Sequence, residues 1–115
     1  WVHADNVKDP VVLAGMAKKG VWIELDKISQ NNLEIQIDIL RVLKHEDLLH
    51  RVMLSHDAGW YRVGQENGGD YRPHTALFTH LIPRLKKEGI CTEEDIELMT
   101  VTNPQQAFQI KVRKK

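Results

Sequence analysis

The sequence predicts an α/β fold in which short apolar strands alternate with helices along the 115-residue chain. Three apolar segments, near residues 1–4, 21–25 and 51–55, are separated by longer segments in which apolar residues recur at helical spacing. The strand segments are apolar throughout, which is typical of parallel strands covered on both faces. We therefore expect three consecutive strand–helix units with right-handed crossovers, followed by a further helical segment.

The first unit begins at Trp1 and Val2, an apolar pair that runs into polar residues like the end of a buried strand. The chain starts there without an initiator Met or a polar lead-in, so we expect it to be part of a longer protein. Asp9 predicts the cap of the next helix, and Pro10 suits the first helical position because its missing N–H is not needed there. Gly20 predicts the end of this helix.

The second helix follows from a pattern that allows two interpretations. Between Leu33 and Ile39 apolar residues alternate as in a strand, but they also line one face of a helix. Asn31 predicts an N-terminal cap, with Glu34 placed to reach back to it. Residues 32–45 are too many for an ordinary strand, so we predict a helix there.

The segment after the third strand predicts three helical pieces. Pro73 predicts the start of the first, with a bend at Pro83 and an end at Gly89. Thr92 predicts the cap of a short second helix. Asn103, followed by a proline, predicts the cap of a third.

The composition excludes several classes of function. The chain carries 16 basic and 16 acidic residues, so no global field attracts it to nucleic acid or to an anionic membrane. No segment approaches the ~20 apolar residues that a membrane span needs. We expect the basic tail, residues 111–115, to be solvated and frayed. Cys91 is the only cysteine, which excludes an internal disulfide and favours a reducing compartment such as the cytoplasm.

Polar side chains follow each predicted strand: His3 after the first, Asp26 and Lys27 after the second, and His56 and Asp57 after the third. Ligands of parallel α/β proteins bind at this end of the strands. One imidazole and one carboxylate from different strands can share a divalent metal such as zinc. A carboxylate beside such a metal can also take a proton from water.

Two of these residues have an equally simple structural interpretation. A lone histidine beside a strand end, such as His3, is more often a hydrogen-bonded structural residue than a metal ligand. Asp57 can cap its own loop. Spacing alone does not decide between the structural and the metal-binding roles.

A family resemblance favours the metal-binding roles. Several segments are similar to the last strands, the eighth loop and the closing helices of the phosphotriesterase-related proteins of the amidohydrolase superfamily. The resemblance covers essentially the whole chain and is most specific over residues 54–104. It implies the C-terminal third of a (β/α)8 TIM barrel, with residues 1–115 forming strands six to eight and the helices after them. The segments that carry it are Trp1–Ala4, Leu54–Trp60, Gly64, Gly68-Gly69, Tyr71–Pro73, Leu77–Thr79, Ile82-Pro83, Leu85-Lys86, Thr100–Pro104 and Ala107-Phe108.

The resemblance implies a zinc-dependent hydrolase with two metal ions in the complete active site. By position, His3 would bind the more exposed metal. Asp57 would bind the more buried one and act as the catalytic residue, contacting the hydroxide that attacks the substrate. The family's other ligands, from the first, fourth and fifth strands, are not in this chain. The bond cleaved would be ester-like: a lactone, a carboxyl ester, a phosphotriester or an N-acyl amide.

Two positions depart from the family pattern. Asn6 stands where well-studied members carry an acidic residue, three places after the sixth-strand histidine. Lys27 follows Asp26 where efficient phosphotriesterases carry a histidine. We therefore do not expect a carboxylate–imidazole relay that takes protons away from Asp57, and phosphotriesters become less expected substrates.

Four residues are candidates for the substrate pocket: Lys27, Trp60, Tyr61 and Arg72. The two aromatic rings either wall the pocket or pack their loop against the barrel rim. Arg72 either binds a carboxylate or phosphate of the substrate or forms a surface ion pair. We expect a small-molecule partner and keep a homodimer among the assembly states. The alternative function is a catalytically silent family member that binds a small molecule.

Overall fold

The computed structural model describes residues 1–110, so the basic tail lies outside the described residues. Two strands, β1 (Ile23–Leu25) and β2 (Val52–Leu54), pair in parallel with Ile23 opposite Val52 and Leu25 opposite Leu54. Both strands are buried on both faces or nearly so, as their apolar sequences predicted. The predicted strands near 21–25 and 51–55 and their parallel pairing are confirmed.

The predicted strand near residues 1–4 is wrong. Only Trp1 lies alongside β1, with its amino group 2.7 Å from the carbonyl of Trp22 and its carbonyl accepting from the N–H of Glu24 at 3.1 Å. The chain then leaves the extended conformation because His3 is left-handed, with φ 57°, and a 3₁₀ turn follows at Ala4–Asn6. A left-handed residue cannot continue a strand, so the pairing stops after one residue.

Two helices pack beside the strands: α1 (Pro10–Lys18) and α2 (Leu33–His45). Asp9 caps α1 by accepting from the N–H of Val11 at 2.9 Å, as predicted. Gly20 ends the segment with φ 87°, a conformation that glycine adopts without steric cost.

The predicted helix at 32–45 is confirmed, but its predicted cap, Asn31, is wrong. A 3₁₀ turn at Gln30–Asn32 precedes α2, and Ser29 stands before that turn. The main-chain N–H of Ser29 donates to the side chain of Asn32 at 3.0 Å, which closes a capping box. The turn therefore moves the cap outward by two residues.

After the loop that follows β2, the chain is helical in two stretches. A π-helical turn at Leu77–Leu81 continues into α3 (Ile82–Lys87). The helix α4 (Glu93–Glu97) continues through a second π-helical turn, Leu98–Thr102, into α5 (Asn103–Phe108). The capping box predicted at Thr92 is present.

Each π-helical turn ends two residues before a proline. Pro83 and Pro104 each occupy the second position of the α-helix that follows. A proline lacks an N–H and clashes with the carbonyl four residues earlier, and a wider turn relieves both problems. The helix predicted to start at Pro73 begins instead at Leu77, because the loop from β2 remains irregular to that point.

Asn103 was predicted as a cap, and that prediction is wrong. Its backbone is helical and follows the π-helical turn without a break. Its side chain is buried, and its amide donates to the carbonyls of Leu49 at 2.8 Å and Val52 at 2.7 Å. Asn103 therefore ties the last helix to the start of β2.

The core lies between the strands and the inner faces of the helices, and its members are almost wholly aliphatic. No helix within the described residues is long and apolar enough to cross a membrane. The largest fully buried apolar side chains are those of Leu13, Ile23, Leu25, Ile28, Ile37, Ile39, Leu40, Leu43, Leu81, Leu85 and Met99.

Replacing Asn103 by Ala is expected to lower the free energy of unfolding by about 1–3 kcal/mol, because two buried carbonyls lose a donor. Urea denaturation of the protein that carries this chain measures the change. Gln105→Ala, on the exposed side of the same helix, is the control. Equal stability of the two variants would contradict the tie between α5 and β2.

The ion pair of Lys44 with Asp95 predicts a dependence of stability on pH. Burial raises the pKa of the Asp95 carboxyl. Hydrogen bonds from Lys44 and from the main chain of Thr92 lower this pKa by more than burial raises it, so it lies below its ordinary value. Its contribution to stability is present above the unfolded pKa of about 3.9. The contribution is lost as the pH falls through the lower folded pKa.

Asp95→Asn should therefore reduce stability at pH 7 and flatten the loss of stability in acid. Unfolding free energies measured from pH 2 to pH 7 test this, with Glu97→Gln as the control on the same helix. An acid limb of unchanged steepness in Asp95→Asn would show that the pair does not stabilise the fold.

Candidate metal centre

Three side chains from three separate segments meet at the carboxyl end of the two strands. Asp26 directly follows β1, Asp57 lies on the loop after β2, and His3 lies in the turn beside β1. One potential ligand atom from each lies within 4.8 Å of the other two. Nδ1 of His3 is 2.8 Å from Oδ1 of Asp26 and 3.9 Å from Oδ2 of Asp57.

Asp26 holds His3 through two hydrogen bonds. The main-chain N–H of His3 donates to Oδ2 at 2.9 Å, and its ring Nδ1 bonds to Oδ1 at 2.8 Å. The side chain of Asp26 is only 4% exposed, against 43% for His3 and 26% for Asp57. Asp26 therefore supports the site from beneath, while His3 and Asp57 face solvent.

The same contacts change the protonation of the imidazole. The hydrogen bond to Asp26 raises the pKa of His3 above its ordinary value, and the negative charges of Asp26 and Asp57 act in the same direction. Partial burial and Lys27 oppose the rise without cancelling it. A metal ion at this imidazole would compete with the proton that the two carboxylates favour.

Both His3 and Asp57 have a left-handed backbone, with φ of 57° and 42°. Positive φ is uncommon in residues other than glycine, although His and Asp adopt it more often than most. Such conformations persist where surrounding contacts hold them, and they concentrate at functional sites. The two side chains that face solvent at this site are therefore also the two on unusual backbone.

The donor set fits a divalent metal ion. The imidazole of His3 and the carboxylate of Asp57 are ordinary ligands of zinc and related ions. The Asp26–His3 pair is also the arrangement by which proteins orient a metal-binding histidine, with one ring nitrogen held by a carboxylate and the other left for the metal.

Comparison with known proteins identifies the family of the chain. The model of the phosphotriesterase family matches residues 1–108. The chain belongs to the phosphotriesterase family. The family is generally hydrolytic and metal-dependent, which agrees with the donor set of His3, Asp26 and Asp57. The resemblance drawn from the sequence is thereby confirmed.

A solved structure supports the assignment to the phosphotriesterase family. It is the crystal structure of a phosphotriesterase homology protein from Escherichia coli, complexed with phosphate in its active site. The two chains are 30% identical with a TM-score of 0.73, and the match covers 89% of this chain. This chain spans 35% of the length of that relative. No curated protein sequence matches the chain.

The two departures from the phosphotriesterase pattern contact each other. Nζ of Lys27 donates to the side-chain oxygen of Asn6 at 2.7 Å, at the rim of the site. The main-chain N–H of Lys27 donates to the buried carboxylate of Asp5 at 3.0 Å, which also accepts from Gln36 at 2.7 Å. At the rim, the Lys27–Asn6 pair is therefore connected through the main chain of Lys27 to the buried Asp5–Gln36 pair.

The other pocket candidates lie on the loop after β2. Trp60 and Tyr61 are both exposed, and the indole N–H of Trp60 donates to the carbonyl of Asp57 at 3.0 Å. The guanidinium of Arg72 donates to the carbonyls of His56 and Asp57. Arg72 also lines a cavity of about 220 Å3 between this loop and the segment before α2.

His56, the neighbour of Asp57, has a structural environment. Its ring is buried, and Nε2 accepts from the main-chain N–H of Leu77 at 2.9 Å. Burial lowers the pKa of this imidazole, and the charges of His74 and Arg72 act in the same direction. The ring of His56 thus holds the π-helical turn that begins at Leu77, and it does not point to the metal site as a ligand.

Asp26 is the site residue that sequence reasoning did not select. The sequence did contain a signal, since Asp26 stands directly after a predicted strand, but only the fold shows that its carboxylate is hydrogen-bonded to His3.

Asp26→Asn should weaken binding of Zn2+ by about 10- to 100-fold, the usual effect of losing a carboxylate that orients a metal-binding histidine. Calorimetry with Zn2+ measures this, with the exposed Asp38→Asn as the control. Unchanged affinity would rule out the supporting role.

Proposed function

We propose that this chain supplies part of the active site of a metal-dependent hydrolase, with His3 and Asp57 as metal ligands. The observation that carries the proposal is the meeting of His3, Asp26 and Asp57 within 4.8 Å in a member of the phosphotriesterase family. Asp26 acts beneath them by fixing the ring of His3. The remaining ligands come from parts of the protein outside these residues.

The proposal includes the architecture of the complete site. β1 and β2 serve as the seventh and eighth strands of a (β/α)8 barrel, and the segment at Trp1 as the end of the sixth. Support comes from the parallel pairing and from the bonds of Trp1 to β1. It also comes from the match to 35% of the E. coli relative, since three units of eight are a similar share.

The metal would be zinc, with two ions in the complete site. When bound, it would polarise the scissile bond and make water acidic enough to ionise near neutral pH. Asp57 would serve as the proton acceptor at the site, because its carboxylate is more exposed than that of Asp26 and lies beside the imidazole of His3. Lys27, Trp60 and Tyr61 lie at or beside the rim, where they contact the substrate.

The substrate is a small molecule with an ester-like bond: a lactone, a carboxyl ester, a phosphotriester or an N-acyl amide. The E. coli relative holds phosphate in its active site. A site that accepts a tetrahedral oxyanion suits hydrolysis of any of these bonds, because each passes through a tetrahedral or a more crowded, negatively charged centre.

A second candidate is a family member that binds a small molecule without turning it over. The Lys27–Asn6 pair favours it, since this hydrogen bond occupies the place where efficient phosphotriesterases carry a histidine and an acid. Lys27 pairs with a neutral amide, so this pair cannot pass a proton from Asp57. Metal content together with turnover of a panel of esters separates the two candidates.

Asp57→Asn tests the catalytic assignment in the protein that carries this chain. The change keeps the shape but removes the base, so kcat for an ester substrate should fall by about 100-fold or more. Asp70→Asn, an exposed carboxylate on the same loop, is the matched control and should keep near-normal kcat. Retained turnover and metal content in Asp57→Asn would refute the assignment.

A further inference from the structure

The backbone of Asp57 lies past the last hydrogen bond between the two strands. The last hydrogen bond between the strands runs from the N–H of Ser55 to the carbonyl of Leu25 at 3.1 Å. Two residues later Asp57 adopts φ 42°, the left-handed conformation that costs energy for a residue with a side chain. Other contacts must therefore hold this conformation, and with it the direction of the carboxylate.

Arg72 supplies the contacts that match this conformation. One nitrogen of its guanidinium donates to two successive carbonyls, that of His56 at 2.9 Å and that of Asp57. In an extended strand successive carbonyls point in opposite directions, so one donor cannot reach both. The two hydrogen bonds from Arg72 can therefore form only because the backbone turns at Asp57.

Arg72 is itself held against the same loop. The N–H of Gly59 donates to the carbonyl of Arg72 at 2.9 Å. Gly59 has φ 74°, a left-handed conformation that glycine adopts without strain. The side chain and the main chain of Arg72 thus close the loop on both sides of Asp57.

We propose that Arg72 is a positioning residue that fixes Asp57 for metal binding and proton transfer, rather than a residue that binds the substrate. This inference rests on the proposed function for its catalytic consequence. An arginine suits the task because its planar, permanently charged group presents several N–H donors to carbonyls at once. A lysine is a point charge on a flexible stem and would reproduce the contact only in part.

The test compares Arg72→Ala and Arg72→Lys with Arg62→Ala, which removes an exposed arginine from the same loop. Hydrogen exchange at the amide of Gly59 should become at least about 10-fold faster in Arg72→Ala, since its acceptor is no longer held in place. Affinity for Zn2+ should fall by about 10- to 100-fold. Arg72→Lys should lie between Arg72→Ala and the unchanged protein, and Arg62→Ala should match the unchanged protein.

Kinetics with an uncharged ester separate positioning from substrate binding. A positioning role predicts a lower kcat with KM changed by less than about 3-fold. It also predicts partial recovery of kcat in Arg72→Ala on adding free guanidinium at non-denaturing concentration. A rise in KM confined to anionic substrates, with amide exchange and Zn2+ affinity unchanged, would overturn the proposal in favour of a substrate-binding arginine.

The outcome for Arg72 is distinguishable from that for the proposed function. If the unchanged protein neither binds Zn2+ nor hydrolyses esters, the proposed function fails. The exchange of Gly59 then still decides whether Arg72 holds the loop: faster exchange in Arg72→Ala supports the contact, and unchanged exchange overturns it.

Discussion

The arrangement of the site depends on the pair of hydrogen bonds between Asp26 and His3. Two oxygens of one buried carboxylate accept from the backbone and the ring of the same residue. The first contact places the turn at the start of the chain over the end of β1, and the second sets the orientation of the imidazole. Because the side chain of Asp26 is buried, its carboxylate depends on these two hydrogen bonds from His3 for partners.

The opposite side of the site depends on a different kind of support. Asp57 stands on a loop that is held by side chains, not by the sheet. The ring of His56 accepts from the N–H of Leu77, Trp60 donates to the carbonyl of Asp57, and Arg72 donates across the turn. His3 is therefore positioned by a single buried carboxylate, whereas Asp57 is positioned by several hydrogen bonds between side chains and main-chain atoms of its loop. Both solutions place a polar side chain at the ends of strands only three residues long.

Several predictions made from local pattern held because both partners of the contact are close in sequence. The caps at Asp9 and Thr92 and the helical repeat of residues 33–45 were of this kind, whereas the cap predicted at Asn31 was replaced by the local turn at Gln30–Asn32. Predictions failed where a distant contact competed with the local one. Asn103 satisfied the rule for a cap, yet its amide bonds to carbonyls 51 and 54 residues away.

The sequence by itself determined the two paired strands with the helix that joins them, the polar residues at the ends of these strands, and, through the resemblance, the choice of His3 and Asp57 as candidate site residues. Only the tertiary structure decided the role of Asp26, which bonds to a residue 23 positions earlier, and that of Arg72, which reaches back 15 and 16 positions. Periodicity and caps report hydrogen bonds within a few residues, whereas these contacts form only after the parallel strands have brought their carboxyl ends together. Nothing in the local pattern of Asp26 or Arg72 states which distant atoms will be their partners.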